Sequence, residues 1–172
     1  MPPGAAEIAV FGMLGALMFA SKLALSALPN VHLCGVFIVA CTVVYRSRAL
    51  YPIYVFVFLT GLFEGGFNAW WLPYLYIWLP LWAMVMILPK SMPKKLAPII
   101  YMSVCALHGF AFGTLYAPAQ ALLFGFDHNT TLMWIASGLW FDLIHGVSNF
   151  VCGVLIVPII SILQKINRQM RP

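Results

Sequence analysis

Six long apolar segments, separated by short polar loops, constrain the fold of this chain more than any other feature. They are rich in aliphatic and aromatic residues and run over 7–28, 32–45, 49–67, 71–89, 96–123 and 131–163. A helix needs about 20 apolar residues to cross a bilayer, and about 17 at the least. The second segment is shorter than this, which predicts a short or strongly buried helix. The pattern therefore predicts an all-α integral membrane protein with six transmembrane helices.

The composition agrees with a membrane protein that has no soluble domain. Of the 172 residues, 63% are hydrophobic and 8% are charged, and the mean hydropathy is +0.98. Soluble domains are about a quarter charged. The four cysteines lie within apolar segments without metal-ligand spacing, so we expect them to be small buried apolar residues. The sequence thus predicts one six-helix membrane domain over 1–172, with no metal site and no nucleic-acid partner.

Basic residues are confined almost entirely to alternate loops. Eight of the nine follow the second, fourth and sixth segments: Arg46, Arg48, Lys90, Lys94, Lys95, Lys165, Arg168 and Arg171. The loops in between, 29–31, 64–71 and 125–130, contain no Lys or Arg. Cytoplasmic loops of membrane proteins carry the excess of Lys and Arg. The charge pattern therefore predicts cytoplasmic termini and a multi-pass protein of the cell inner (plasma) membrane.

The first segment has two different faces. Gly12, Ala16, Ala20 and Ala24 recur every fourth residue, so on a helix they form one ridge of small side chains. Such a ridge lets the backbone of another membrane helix approach closely. Lys22 lies about 140° around the helix from this ridge. A charge within the membrane is expected to face a protein interior rather than lipid.

A polar stripe runs along the sixth segment. Its members recur every three or four positions and so share one helical face: Trp134, Gly138, Asp142, His145 and Asn149. His108 in the fifth segment lies at a similar predicted depth, near the middle of the membrane. Two interpretations stay open, namely helix–helix hydrogen bonding or contact with a ligand. The number of polar residues favours the ligand, because each charge in a membrane helix costs about 2.5–3.5 kcal/mol on insertion scales.

The predicted outer loop after the third segment also allows two interpretations. Glu64 and Asn68 lie beside two glycines, followed by Trp70, Trp71 and two tyrosines. Aromatic residues of this kind concentrate at membrane interfaces. An acid, an amide and aromatic rings near a helix end also suit the mouth of a site for a flat ligand.

Motifs of catalysis are missing from the sequence. Asp142 and His145 have the spacing of an acid/base pair, but neither H-E-x-x-H nor G-x-S-x-G occurs. The chain also lacks G-x-x-x-x-G-K-[ST], so no ATP binding of the P-loop kind is expected. We therefore expect a protein that is not an enzyme and binds no cofactor itself.

These features together resemble the substrate-binding S component of energy-coupling factor (ECF) transporters. In architecture the resemblance covers the whole chain. The motifs that match are Ala16-Leu-Met-Phe-Ala20, Ala20-Ser-Lys-Leu-Ala24 and the following Leu28-Pro29-Asn30. It implies that Ala16, Ala20 and Ala24 dock the coupling helices of a scaffold T component. Two ABC ATPases would complete the transporter and use the ATP.

The thiamine-binding member of that family is similar at two further places. Its ligand histidine on the fifth helix has a setting like that of His108, which is followed by Gly109-Phe110-Ala111-Phe112-Gly113. Its ligand asparagine on the sixth helix precedes Gly-Ile-Ser, where this chain has His145-Gly146-Val147-Ser148. Because the chain has histidine in place of asparagine there, the identity of the substrate stays open.

The resemblance implies a subunit that captures a vitamin or a related heterocyclic micronutrient from outside the cell. The candidate substrate-binding residues are Lys22, Glu64, Asn68, Trp71, His108, Trp134, Asp142, His145 and Asn149. Lys22 has two alternative roles, either balancing Asp142 or holding a carboxylate of the substrate. A stand-alone secondary transporter or a structural membrane subunit is the alternative, although no repeat relates 1–86 to 87–172 as many secondary transporters would show.

Overall fold

The computed structural model describes residues 4–170, and all regular elements in that range are helical. The α-helices are α1 (Ala5–Ala24), α2 (Cys34–Tyr45), α3 (Leu50–Phe63), α4 (Tyr74–Ile87), α5 (Ala97–Phe110), α6 (Phe112–Phe124), α7 (His128–Cys152) and α8 (Ile156–Gln169). Short 3-10 turns at Arg46–Ala49 and Gly153–Leu155 precede α3 and α8. Arg171, one of the basic residues predicted to be cytoplasmic, lies outside the described range.

Several helical stretches have the length and composition of membrane spans. Four are long and apolar enough to cross a membrane: Ala5–Ala24, Cys34–Phe63, Ala97–Phe124 and His128–Gln169. The helix α4 is apolar but shorter. The all-α class predicted from the apolar segments is therefore confirmed for residues 4–170, and the length and composition of the helices suggest a membrane protein.

The helices α1 and α3 lie side by side and run in the same direction. Near the start of both, Arg48 pairs with Glu7 at 2.5 Å. At their other ends Lys22 of α1 forms an ion pair with Glu64, which directly follows α3. Gly15 makes the close approach of the two helices feasible, because a Cβ at this position would lie 2.9 Å from the backbone oxygen of α3 at Pro52.

The chain reverses direction between α2 and α3. Phe11 near the start of α1 contacts Tyr45 at the end of α2 and Tyr51 at the start of α3, with ring centroids 5.1 and 5.7 Å apart. Because α1 and α3 are parallel, α2 runs in the opposite direction. Arg46 makes the turn with a φ of 56°. The apolar stretch Cys34–Phe63, long enough as a whole to cross a membrane, is therefore two antiparallel helices of 12 and 14 residues and not one straight span.

The predicted second segment forms a short and strongly buried helix, as expected. α2 has 12 residues, which is about 18 Å of helix and well below the thickness of the hydrocarbon core. Ten of the 12 are buried: Cys34, Gly35, Val36, Phe37, Ile38, Val39, Ala40, Cys41, Thr42 and Tyr45. Other helices cover α2, so it need not match the membrane thickness with its own length.

The predicted segments and the helices differ mainly at their ends. The first segment was expected to continue to 28, but α1 ends at Ala24 and turns lead to Asn30, whose φ is 61°. The third was expected to reach 67, but Gly65 and Gly66, with φ of 96° and 88°, end α3 earlier. The last begins earlier than 131, because the Asp127 carboxylate accepts a hydrogen bond from the Thr130 N–H at 2.7 Å and caps α7.

The loops with basic residues gather at one end of the bundle. The Arg46 guanidinium donates a hydrogen bond to the carbonyl of Met86 near the end of α4, at 2.6 Å. Lys90, Lys94 and Lys95 follow α4 directly. Lys22 and Glu64 lie at the opposite ends of α1 and α3. The bundle therefore has one basic end, where Arg48 pairs with Glu7, and an opposite end with the Lys22–Glu64 ion pair.

Candidate functional site

The polar residues of α7 face α5 across a very close helix–helix contact. A Cβ at Gly109 would lie 2.8 Å from the Cα of Gly146 and 2.8 Å from the Asn149 amide nitrogen. A Cβ at Gly113 would lie 2.6 Å from the Asp142 carboxylate. Glycines on α5 and at the start of α6 therefore make room for the amide and the acid of α7, which are both buried.

Across this contact, one polar atom of Asp142 and one polar atom of Asn149 form hydrogen bonds. The Asp142 Oδ1 accepts from the backbone N–H of Gly113 at 2.9 Å. The Asn149 Nδ2 donates to the carbonyl of Cys105 at 3.2 Å. His145, between them on the same helical face, is 2% exposed. The stripe predicted from the spacing thus faces the interior of the bundle.

Trp78 of α4 stands at the centre of a group of aromatic rings. It is 2% exposed. Its ring centroid lies 5.5 Å from that of His108, 5.8 Å from that of Phe112 and 6.2 Å from that of His32. Phe112 in turn lies 4.7 Å from His145. The aromatic group therefore joins α4, α5, α6 and α7 to the loop before α2.

Three histidines meet within this group. The His32 and His145 rings are 4.6 Å apart and nearly perpendicular. The His108 Nε2 lies 2.8 Å from the carbonyl oxygen of Ile77 on α4. Ser148 of α7 donates a hydrogen bond to the carbonyl of Asn30 at 2.8 Å, which holds the loop carrying His32 against α7.

Six buried polar atoms in and beside this group have no hydrogen-bond partner. They are His32 Nδ1, Trp78 Nε1, His108 Nδ1, Asp142 Oδ2, His145 Nε2 and Asn149 Oδ1. A buried polar group left without a partner costs about 1–3 kcal/mol. Such groups are rare in folded proteins and call for an explanation, such as a bound molecule. We refer to these six residues as the polar cluster.

The loop histidine of the polar cluster is neutral at physiological pH. Burial of the His32 ring, together with the positive charge of Lys22, lowers its pKa from 6.5 to about 4. At pH 7 the ring therefore has one N–H donor and one acceptor nitrogen. It offers hydrogen bonding rather than charge to a bound molecule.

An ion pair lies near this region. Lys22 pairs with Glu64, and its ammonium lies 5.2 Å from the centre of the Tyr74 ring. Tyr74 contacts Trp78 with ring centroids 5.8 Å apart. Neither alternative for Lys22 anticipated this pairing, since one placed it on Asp142 and the other on a substrate carboxylate. The pairing also satisfies the charge of Glu64, which sequence reasoning left for a ligand.

Three further predicted site residues lie outside the polar cluster, as Lys22 and Glu64 do. The Asn68 side chain bonds within its own loop, donating to the Gly65 carbonyl at 2.9 Å and accepting from the Trp70 N–H at 3.2 Å. The Trp71 indole donates to the Val57 carbonyl at 2.8 Å, so it fastens the loop to α3. Trp134 stacks on Tyr116, with centroids 6.2 Å apart, further along the contact of α6 and α7.

The small residues of α1 lie on the outside of the molecule. Ala16, Ala20 and Ala24 are exposed, and a Cβ at Gly12 would meet nothing within 4 Å. Ala16 and Ala20 line an apolar groove of about 650 Å³ between α1 and α8. Lys22 points instead to Glu64. The two faces predicted for this helix are therefore directed to different surroundings.

Sequence reasoning missed two members of the polar cluster, His32 and Trp78. His32 had a usable signal, because it is the one ionisable residue in the loop just before a short helix that was expected to be buried. Trp78 had none, since it lies among several aromatic residues of an apolar segment. Within residues 4–170 no group of three or more His, Cys, Asp or Glu side chains is arranged to hold a metal ion.

Comparisons of the chain with protein-family models, with curated proteins and with solved structures found no match. The geometry of the polar cluster is therefore the basis on which a function is inferred.

Proposed function

We propose that this chain is the substrate-capture (S) subunit of an ECF-type transporter. It binds a vitamin or a related heterocyclic micronutrient from outside the cell, and its partner T component and two ABC ATPases drive uptake with ATP. The observation that carries the proposal is the polar cluster, in which six buried polar atoms without partners meet aromatic rings inside an apolar helix bundle.

The polar cluster suits a flat, polar molecule. Aromatic side chains such as Phe112 and Trp78, whose ring centroids lie 5.8 Å apart, are the kind of residue that contacts a planar ring over a large area. Binding sites for small molecules combine such apolar walls with a few polar groups that fix orientation. A ligand that forms hydrogen bonds with the unpaired atoms removes the free-energy cost of burying them without partners. This gain contributes to the affinity of the ligand.

The distribution of charge supports an outward-facing site. In the proposed topology the chain crosses the membrane six times, and the reversal at Arg46 supplies the turn that six crossings require. The basic end of the bundle is cytoplasmic by the positive-inside rule. The Lys22–Glu64 pair and His32 then lie towards the outside, where a nutrient arrives. Both termini are on the cytoplasmic side.

The apolar groove beside α1 supports the proposed partner. Its small residues Ala16 and Ala20 leave room for another helix, and its other walls include Leu17, Phe37 and Ile162. The polar cluster is on the inside of the bundle and the groove is on its surface. One protein surface can therefore dock the T component while a different part of the fold holds the nutrient.

We expect position 47 to be cytoplasmic and position 129 to be external. Single cysteines at Ser47 and Asn129, each in a variant in which the four native cysteines are replaced, test this. An impermeant maleimide added to intact cells should label position 129 and should label position 47 only after the membrane is broken. Labelling of position 47 on intact cells would contradict the topology.

We expect His108→Ala and His145→Ala each to weaken ligand binding about tenfold or more, because each removes a protein side chain that forms a hydrogen bond with the ligand. Native mass spectrometry of the purified wild type identifies the bound small molecule, and calorimetric titration with that compound measures the affinity of each variant. His128→Ala, at the exposed start of α7, is the matched control.

Melting curves of the same variants separate a binding role from a structural one. Weaker binding by folded protein supports the proposal, and His128→Ala should bind like the wild type. Unchanged affinity together with a lower melting temperature in both variants would make the histidines helix–helix contacts only.

A further inference from the structure

A second groove lies on the outer surface of α3, beside the turn that carries Arg46 and Arg48. Its volume is about 850 Å³, and none of its lining residues belongs to the groove between α1 and α8. Most of its lining is contributed by Ser47, Arg48, Leu50, Tyr51, Tyr54 and Phe58. Spacings of three and four residues put the aromatic members on one face of the helix. The groove therefore follows α3 from the basic end of the bundle.

The groove is polar at one end and apolar along the rest. At its basic end Arg48 pairs with Glu7, and the Arg48 side chain remains 40% exposed. Tyr51, Tyr54 and Phe58 follow along α3 and are exposed. Ten positions separate Arg48 from Phe58, which is about 15 Å along a helix. Half of the roughly 30 Å hydrocarbon core has the same length, so the groove matches one leaflet of a bilayer.

Neighbouring parts of the bundle hold the wall of this groove in place. The Tyr51 ring stacks on Phe11 of α1, with centroids 5.7 Å apart and planes 5° from parallel. The Tyr54 hydroxyl donates a hydrogen bond to the carbonyl of Leu75 on α4 at 3.0 Å. The shape of the groove therefore follows from helix packing as well as from the surface side chains themselves.

The size of the wall residues favours a lipid chain over a partner helix. Close contacts between membrane helices use small residues, like those on the exposed ridge of α1. Here two tyrosines and a phenylalanine form much of the wall. Such large rings keep the backbone of another helix at a distance, whereas an acyl chain is thin and flexible enough to lie between them.

The charge at the polar end favours an anionic headgroup. Arg46 and Arg48 flank Ser47 in the turn before α3. Glu7 neutralises part of this charge, but the Arg46 guanidinium binds a neutral partner, the Met86 carbonyl, and so keeps the turn positive. Arginine binds phosphate through charge-assisted hydrogen bonds, and a serine hydroxyl is a further donor. Anionic lipids of the cytoplasmic leaflet are attracted to basic residues at the membrane surface.

We propose that this groove binds an anionic phospholipid of the cytoplasmic leaflet, with the lipid phosphate at Arg48 and Ser47. One acyl chain lies along Tyr51, Tyr54 and Phe58, towards the middle of the membrane. The leaflet follows from the proposed topology. The site itself goes beyond the proposed function, because it depends on neither the nutrient nor the T component.

Native mass spectrometry of the delipidated full-length protein in detergent tests the headgroup. The probes are dioleoylphosphatidylglycerol and dioleoylphosphatidylcholine, which have the same chains and a phosphate but differ in net charge. We expect the wild type to bind the anionic lipid about fivefold more tightly, since the positive choline group opposes the basic turn. In Arg48→Gln this preference should fall below about twofold, because the guanidinium is lost.

Two variants are controls for Arg48→Gln. Glu7→Gln breaks the same ion pair but keeps the guanidinium, so it should keep the preference for the anionic lipid. Arg168→Gln removes one positive charge at an exposed position near the end of α8, outside the groove, and should also keep it. A loss in either control as large as that in Arg48→Gln would overturn the proposal, because the ion pair or the overall charge would then explain the binding.

Phe58→Ala tests the apolar wall, and it keeps the proposal testable if Arg48→Gln does not fold. Loss of the ring should weaken binding of the anionic lipid about threefold or more, because apolar contact area is lost. Leu62→Ala, one turn further along α3 at an exposed position outside the groove, should bind it like the wild type. Equal affinities of these two variants would contradict an acyl chain along the wall.

The soluble compound sn-glycerol 3-phosphate separates a lipid from a free phosphate, since it has the phosphate without the chains. It should bind the wild type at least about tenfold more weakly than the anionic lipid, because it lacks the apolar contacts. Equal affinity would make the groove a site for a soluble phosphate and overturn the proposal. Equal binding of the two lipids by the wild type, or an anionic preference that survives in Arg48→Gln, would overturn it as well.

Discussion

Gly109→Ala is expected to destabilise the folded protein by about 3 kcal/mol, at the upper end of typical overpacking costs. The new methyl group would lie 2.8 Å from the Cα and 2.9 Å from the backbone nitrogen of Gly146 on α7. Backbone atoms cannot move aside as a flexible side chain can, so α5 and α7 must separate. The separation also stretches the hydrogen bond from Asn149 to Cys105.

Tryptophan fluorescence during heating in detergent measures this effect. We expect the melting temperature to fall by about 10 °C, using the shift of roughly 2–4 °C per kcal/mol found for proteins of this size. Gly138→Ala is the matched control, because a Cβ at that position on α7 meets nothing within 4 Å. Alanine there should be neutral or stabilise by up to about 1 kcal/mol, since glycine is a poor helix former. Equal melting temperatures for the two variants would contradict the close packing of α5 on α7.

Ala20→Trp is expected to abolish uptake while leaving the binding of the nutrient within about twofold of the wild type. Ala20 is exposed and lines the groove beside α1, so an indole ring there prevents another helix from approaching. The polar cluster lies inside the bundle and is not touched by this change. Ala16→Trp, one helical turn away on the same ridge, should have the same effect.

The test measures accumulation of the labelled nutrient in cells and, separately, its affinity for the purified chain. Leu122→Trp is the control, because Leu122 is 86% exposed on α6 and does not line the groove. Pull-down of the T component from the same cells reports docking directly. Loss of affinity in Ala20→Trp would show that the two faces of α1 are not independent. Normal uptake in Ala20→Trp would place the partner surface elsewhere.

Helical periodicity was sufficient to group the residues of the polar stripe. Asp142, His145 and Asn149 are close together because three- and four-residue spacings fall on one face of any helix. Their burial also followed from the sequence, since lipid tolerates such groups poorly. The same periodicity put the small residues of α1 on a face away from Lys22, as the structure has them.

Helix ends were predicted less well, because they depend on backbone conformations that apolar composition does not encode. α3 stops at Phe63 where two glycines with positive φ follow, although apolar residues continue beyond them. α7 starts before the apolar pattern begins, because Asp127 supplies a cap. Attention to glycine pairs and capping residues would have corrected both.

By itself the sequence determined that the chain is an all-α protein with helices of the composition that membranes require, and that its polar stripe is buried. These are local properties, since they follow from the composition of each segment and the geometry of a single helix. Only the tertiary structure decided that Lys22 pairs with Glu64, that Trp71 binds the backbone of α3, and that His32 meets His145. Each of these contacts joins residues far apart in the chain. Which partners meet depends on how helices pack, and spacing within one segment carries no information about that.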